Sequence, residues 1–270
     1  MPLPTHLNPA VLYAGGGPAS ISVFNQDYHG TLTALWNGSP RPTSLDPGGR
    51  YNVTLMAADL AVPQLAQITM VDASGAIVDN VSCPVGYNVK PTGVAFDAIR
   101  NRLYIATPLQ SGDPQFPSGS VVALDVATGG IGPVLQIDAV LGDLALSDDA
   151  SALYVVVEGS NVVRRIDPST FTAAGDFPFR TGAAASIPSP DMIAVMPGKP
   201  ATVALEFSPQ PGFSGIQFAI YDNGVKRPNV LNGSCCEFSG LLFSPDGKYI
   251  FENGRSTFQD GPNSGNYRDA

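Results

Sequence analysis

Four glutamates, Glu158, Glu206, Glu237 and Glu252, are the side chains of this 270-residue sequence best placed for acid–base chemistry. A pair of carboxylates divides the roles of proton donor and acceptor when their surroundings push their pKa values apart. Glu158, Glu206 and Glu252 each follow an apolar β-forming run: Leu153-Tyr154-Val155-Val156-Val157, Ala201-Thr202-Val203-Ala204-Leu205 and Tyr249-Ile250-Phe251. Three segments thus offer a carboxylate at the end of an equivalent strand, and a ring of them around one face is geometrically allowed. The plainer account is that a strand end takes a solvated polar residue, because nothing around the glutamates marks a substrate pocket.

Other chemistry finds less support. Both histidines, His6 and His29, precede residue 30, so no Ser-His-Asp or Cys-His set can be assembled in the rest of the chain. His29, in Tyr28-His29-Gly30, reads as a solvated loop residue. Asp148-Asp149 lacks the D-x-D-x-D-G run of a calcium loop. The cysteines are Cys83, Cys235 and Cys236, an odd count without a C-x-x-C pair, which excludes the common zinc signatures. Adjacent trans Cα atoms lie about 3.8 Å apart, short of the roughly 4.4 Å at which disulfides begin, so a Cys235–Cys236 bond is strained. A bridge from Cys83 to one of that pair and three free thiols remain open. No catalytic, cofactor-binding or metal-binding residue is assigned, and no cofactor is expected.

Fourteen basic residues face 23 acidic ones, for a net charge of −9. No Lys/Arg stripe is available to neutralise phosphates, so no nucleic-acid partner is expected. Arg164-Arg165 falls in a strand and its side chains point to opposite faces. Nineteen of the acids are Asp, which favours turns, and this places the negative charge on loop tips. Asn37-Gly38-Ser39 and Asn232-Gly233-Ser234 are glycosylation sequons only on a eukaryotic secretory route and otherwise Asn-Gly turns. No apolar run reaches about 18 residues, so no membrane span is expected. The start, Met1-Pro2-Leu3-Pro4-Thr5-His6, carries neither the basic nor the apolar segment of an export signal.

The elements that must position these groups are short strands. Glycine and proline make up a fifth of the chain, charged residues only 14 % and apolar residues 44 %, which describes a turn-rich globular protein with few long helices. Residues 8–80 alternate with period two at Ser20–Phe24, Leu32–Trp36 and Tyr51–Leu55, with Ile68–Val71 closing the set. Asn37-Gly38-Ser39-Pro40 and Asp46-Pro47-Gly48-Gly49 supply the turns, and Ala57–Ala61 reads as one helical turn. The expectation is a small Ig-like sandwich.

Residues 84–270 repeat. Phe96, Leu146, Val195 and Phe243 hold equivalent places, at steps of 50, 49 and 48 residues. Each leads into a second strand, and three third strands end on Asp125, Asp167 and Asp222. Ser147-Asp148-Asp149 and Ser244-Pro245-Asp246-Gly247 form the first turn of their repeats. A period near 49 fits four-stranded propeller blades. Three repeats are complete and a fourth is partial, with no clear strand from Arg255 to Pro262. The fold class expected is therefore all-β: a small sandwich followed by an incomplete β-propeller.

Asp125-Val126-Ala127-Thr128-Gly129 with Leu153–Val157 resembles the YVTN/cytochrome-type seven-bladed propellers. Asp191-Met192-Ile193-Ala194-Val195-Met196-Pro197-Gly198 with Ala219–Val225 looks like a bacterial group in which the propeller follows Ig-like IPT/TIG modules on exported proteins. Thr33–Thr43 is similar to the centre of such a module, so the resemblance covers roughly residues 8 to 255. It implies an extracellular or cell-surface location. Against that pattern an export signal is missing and about half the blades are absent, so the chain is expected to be a fragment of a longer protein.

Quinoprotein propellers offer a narrower resemblance. Ala123–Gly129 is similar to their docking phrase and Cys235-Cys236 to a vicinal disulfide set against the cofactor. The phrase occurs once, however, and the only tryptophan, Trp36, lies outside the repeats. The function expected is a non-catalytic binding module that presents loops to a protein or glycan. A propeller enzyme of hydrolase, lyase or quinoprotein type with carboxylate chemistry is the alternative, and a structural spacer the third reading. An exposed strand edge is expected to promote self-association.

Overall fold

The computed structural model describes residues 4–113, 115–179, 189–207, 217–228, 231–232, 241–252 and 255–259. The chain divides into two units, Met1–Asn88 and Val89–Ala270. Every regular element of the described residues is a strand or a single 3-10 turn, so the fold is all-β. None of the described helices is long and apolar enough to cross a membrane.

The first unit contains β1 (His6–Asn8), β2 (Leu12–Tyr13), β3 (Ala19–Phe24), β4 (Thr33–Trp36), β5 (Ser39–Arg41), β6 (Thr43–Leu45), β7 (Tyr51–Leu55), β8 (Gln64–Val71) and β9 (Ile77–Gly86). They form two sheets, ordered β1-β3-β7-β6 and β2-β9-β8-β4-β5. Alternation buries Ile21, Val23, Val53 and Leu55 from one sheet against Trp36, Ile68, Met70 and Val85 from the other in one shared core. The strands expected from alternation are present, and the turn expected near Ala57 is the 3-10 turn Ala57–Leu60. Asn37 and Gly38 both have positive φ in the two-residue turn that joins β4 to β5. Strand β9 runs through the 80–84 interval where the sequence reading set the join between sandwich and repeats.

The second unit is a series of antiparallel sheets. The first holds β10 (Gly93–Asp97), β11 (Arg102–Ala106), β12 (Ser120–Asp125) and β13 (Ile131–Gln136); the second, β14 (Leu141–Leu146), β15 (Leu153–Val157), β16 (Val162–Asp167) and β17 (Thr172–Pro178). The third holds β18 (Pro190–Met196), β19 (Lys199–Phe207), β20 (Gln217–Asp222) and β21 (Val225–Lys226), with β22 (Leu231–Asn232) also on β20. The last comprises β23 (Leu241–Phe243), β24 (Tyr249–Glu252) and β25 (Arg255–Gln259). Each sheet follows chain order and the first strands β10, β14, β18 and β23 lie side by side, which is blade architecture. The expectation of no strand after Arg255 is corrected: the free edge of β24 takes up β25, although that segment lacks an apolar alternation of its own.

The repeated turns explain the period. Ser147 Oγ donates to Asp149 Oδ1 (2.7 Å) and accepts the Ala152 N–H (3.0 Å); Ser244 Oγ donates to Asp246 Oδ1 (2.6 Å) and accepts the Tyr249 N–H (2.9 Å). Asp97 fills this place in the first sheet and is fully buried. Burial pushes its carboxyl up, but the Arg100 guanidinium (2.8 Å), the Arg100 N–H (2.9 Å) and the Tyr104 hydroxyl (2.9 Å) outweigh it and hold the group below its usual pKa. Neighbouring sheets are tied at this end by Arg100 Nη1 to the Ala150 carbonyl (3.0 Å) and by the Gly198 N–H to Asp148 Oδ2 (2.9 Å).

Candidate functional site

At the opposite end, where the first strands begin, a cavity of about 390 Å³ is lined by Thr92, Asp143, Asp191, Met192, Ile193 and Leu241. Its walls come from all four sheets. The two carboxyl groups arrive by the same local device. Pairing of β14 with β15 slips between Leu141 and Leu144, and pairing of β18 with β19 slips between Pro190 and Met192. Asp143 and Asp191 therefore both sit on irregularities in their ladders, which break the strict alternation of faces and re-aim side chains.

Asp143 is the more enclosed of the two. Its Oδ2 accepts the Ile193 N–H from the next sheet (3.2 Å), and the Leu144 N–H adds a second donor. Burial nevertheless dominates and pushes its carboxyl above the usual aspartate pKa. Asp191 is exposed at the cavity mouth. A largely enclosed carboxyl and a solvent-facing neighbour, with the Thr92 side chain and apolar walls, make a surface suited to hydroxyl or amide groups.

Glu158 and Glu206 do not form this site. Glu158 begins the 3-10 turn Glu158–Ser160 and is half-buried. Glu206 is fully buried in β19, in register with Met192 and Phe218. Glu252 ends β24, opposite Leu241, and Glu237 lies outside the described residues. Neither Glu158 nor Glu206 lines the axial cavity. Both histidines are exposed in the first unit. Cys83 is a free thiol buried in the sandwich core, and its pKa is raised to about 11 by that burial; Cys235 and Cys236 lie outside the described residues.

The other motifs resolve into structural parts. In Ala123–Gly129, Asp125 Oδ1 accepts both the Thr128 N–H (2.8 Å) and the Thr128 hydroxyl (2.9 Å), which makes the phrase a closed turn. Arg164 grips Asp176 through Nε (2.8 Å) and Nη2 (2.7 Å), on the side of the sheet opposite to Arg165. Among the described residues no group of three or more His, Cys, Asp or Glu side chains converges to hold a metal. The sandwich has a second cavity, of about 420 Å³, beside Tyr28 and Asp79. There the Tyr28 hydroxyl (2.7 Å) and Thr5 Oγ1 both donate to Asp79, and these bonds hold its carboxyl low against the upward push of burial.

Sequence reasoning missed Asp143 and Asp191, although a signal was present. Aligned on Phe96, Leu146, Val195 and Phe243, Asp143 takes the place of Gly93 and Gly240, and Asp191 falls one residue before the matching Met192, so two repeats carry a carboxylate at or next to their opening residue.

Comparison with known proteins concerns the fold. No protein-family model matches the sequence, and no curated protein matches it. Among solved structures, the chain is similar to Kuenenia stuttgartiensis hydrazine synthase, with 18 % identity over 76 % of this chain and 53 % of that one (TM-score 0.46). It is similar to an auxiliary nutrient binding protein from Bacteroides thetaiotaomicron, with 13 % identity over 92 % of this chain and 63 % of that one (TM-score 0.40). The β-propeller domain of Myceliophteria thermophila Cps50 (Swd1) shows 15 % identity over 62 % of this chain and 50 % of that one (TM-score 0.42). The chain thus spans between half and two thirds of the length of these structures. Its own sheets make it an all-β protein of propeller-like fold.

Proposed function

We propose that this chain is a non-catalytic binding module of a secreted or cell-surface protein, and that it takes its ligand at the axial cavity. In this reading residues 8–80 are an IPT/TIG-type sandwich and residues 84–270 belong to a YVTN-type propeller; the ligand is a glycan or a protein loop. The observation that carries the reading is the convergence of Asp143 and Asp191 on one cavity at the start of the inner strands. Rigid sheets hold both, and the cavity is large enough for a sugar ring or a side chain. The surplus of acid over base weighs against nucleic acid as the partner.

The test is a binding screen of the whole chain against immobilised neutral oligosaccharides and a peptide library, followed by calorimetry on the hits. Asp143→Asn and Asp191→Asn are each expected to weaken binding about tenfold or more while the melting profile stays intact. Binding that survives both substitutions refutes this site. The raised pKa of Asp143 beside Asp191 favours one second reading, a carboxylate hydrolase or lyase. Turnover of chromogenic glycosides or esters, lost in Asp143→Asn with binding retained, would decide for it.

A further inference from the structure

We propose that Asn223 is a site of spontaneous deamidation in the folded chain, and that Asn37, in a turn of the same build, is shielded from that reaction by its side-chain bonds. An asparagine followed by glycine is the pair most open to it, because glycine puts no Cβ beside the attacking nitrogen. The chain has such pairs at Asn37, Asn223, Asn232 and Asn253, and Asn37-Gly38 and Asn223-Gly224 lie wholly within the described residues. The Gly224 backbone nitrogen attacks Asn223 Cγ, its proton leaves with the Asn223 amide nitrogen as ammonia, and a cyclic imide forms. Water then adds to one of the two imide carbonyls and leaves aspartate or isoaspartate.

The two turns form a matched pair. Each joins two antiparallel strands through two residues, β4 to β5 at Asn37-Gly38 and β20 to β21 at Asn223-Gly224. Backbone φ is 49° and 82° in the first and 48° and 80° in the second. Each asparagine N–H donates to a carbonyl at 2.8 Å, that of Gln67 or that of Ala201. Both asparagines are exposed. The attack requires the turn to open in either case, so main-chain geometry and burial do not separate the two sites.

The side chains do separate them. Asn37 Oδ1 accepts the Gln67 N–H (2.8 Å) and Asn37 Nδ2 donates to Gln64 Oε1 (2.8 Å), so both ends of the amide are fixed to β8. The Asn223 amide makes no hydrogen bond among the described residues and is free to swing its Cγ toward the Gly224 nitrogen. A Cβ on Gly224 would stand 2.7 Å from Phe177 Cβ of the second sheet, so the main chain packs closely there. Isoaspartate inserts a methylene into the main chain just before this contact. Either product adds a carboxylate beside Asp222, which Arg227 Nε (2.7 Å) and Thr202 Oγ1 (2.8 Å) already hold. Deamidation at Asn223 therefore loosens the joint between the second and third sheets.

The experiment incubates the whole chain in mildly alkaline buffer made with heavy-oxygen water. Mass spectrometry of proteolytic peptides that carry each site then resolves the asparagine, aspartate and isoaspartate forms. Asn223 is expected to convert at least about tenfold faster than Asn37, because Asn37 must first give up two hydrogen bonds. In urea the two sites should convert at matching rates. Gln64→Ala, which releases Asn37 Nδ2, should speed Asn37 several-fold and leave Asn223 as it was, with circular dichroism matching the parent. Equal rates in the folded chain, faster conversion at Asn37, or a difference that survives in urea overturns the proposal. So does a folded Gln64→Ala chain in which Asn37 stays as slow as in the parent, and so does an Asn223 that converts in urea but stays intact in the folded chain.

Discussion

Gly93 sets how closely the first two inner strands approach, and its replacement by alanine tests the architecture of the axial cavity. A Cβ at this position would stand 2.6 Å from the Leu144 backbone nitrogen, 2.9 Å from Asp143 Cα and 2.9 Å from Asp143 Oδ1. Two of these three atoms belong to the β14 main chain and cannot rotate away. Relief requires β10 and β14 to separate, and Asp143 moves with β14. Overpacking of this kind costs about 1–3 kcal/mol, and contact with main chain places Gly93→Ala in the upper half of that range. For a unit of 150–250 residues each kcal/mol lowers Tm by about 2–4 °C, so the expected drop is roughly 4–12 °C. Two probes separate the units. Trp36 is the only tryptophan and is buried in β4 of the sandwich, so its emission follows that unit, while calorimetry follows both. The calorimetric transition of the sheet series should fall while the Trp36 transition holds. A change of less than about 1 °C would refute the close approach of the two strands, and an equal fall of the Trp36 transition would refute its assignment to the sheet series.

Three further outcomes are expected. Arg41 holds Asp59 through Nε (2.7 Å) and Nη2, the Met56 N–H adds a third bond (2.8 Å), and the carboxyl is held below its usual pKa. Asp59→Ala strands a largely buried guanidinium and should cost about 3–5 kcal/mol, read on the Trp36 transition. Because the folded pKa is depressed, this stabilisation is full above the unfolded value, about 3.9, and is lost as pH falls through the lower folded value; acid melts should therefore separate parent from variant above that window and converge below it. Ala150 occupies the left-handed region at φ 52° in a first turn where the third and last sheets use Gly198 and Gly247, so Ala150→Gly should leave stability unchanged or raise it by about 1 kcal/mol, and a loss beyond that in chemical denaturation would count against turn strain. Cys83, fully buried and with its pKa raised to about 11, should resist a thiol reagent at pH 8 in the folded Cys235→Ser/Cys236→Ser background and react once urea unfolds the sandwich; rapid labelling of the native chain would contradict its burial.

Local chemistry made most strands and their period readable in advance. Alternation in Ser20–Phe24 and Tyr51–Leu55 decides the buried side within a few residues, and the turn at Asp125–Thr128 closes on its own side chains. Equivalent places recur about every 49 residues because each blade solves the same packing problem with the same turn. Short strands such as β5, β6 and β25 were not readable, because they carry few apolar residues and form against an edge that a neighbour supplies.

The site divides the same way. The sequence alone determined that the chain is all-β, that residues beyond about 84 repeat, and that histidine chemistry is confined to the first 30 residues. Only the tertiary structure decided which carboxylates meet. Glu158 and Glu206 share a place in the repeat, yet they leave the axial cavity to Asp143 and Asp191. The physical reason is register. A slip in the β14–β15 and β18–β19 ladders re-aims a side chain, and such a slip depends on the partner strand rather than on the residues that carry it.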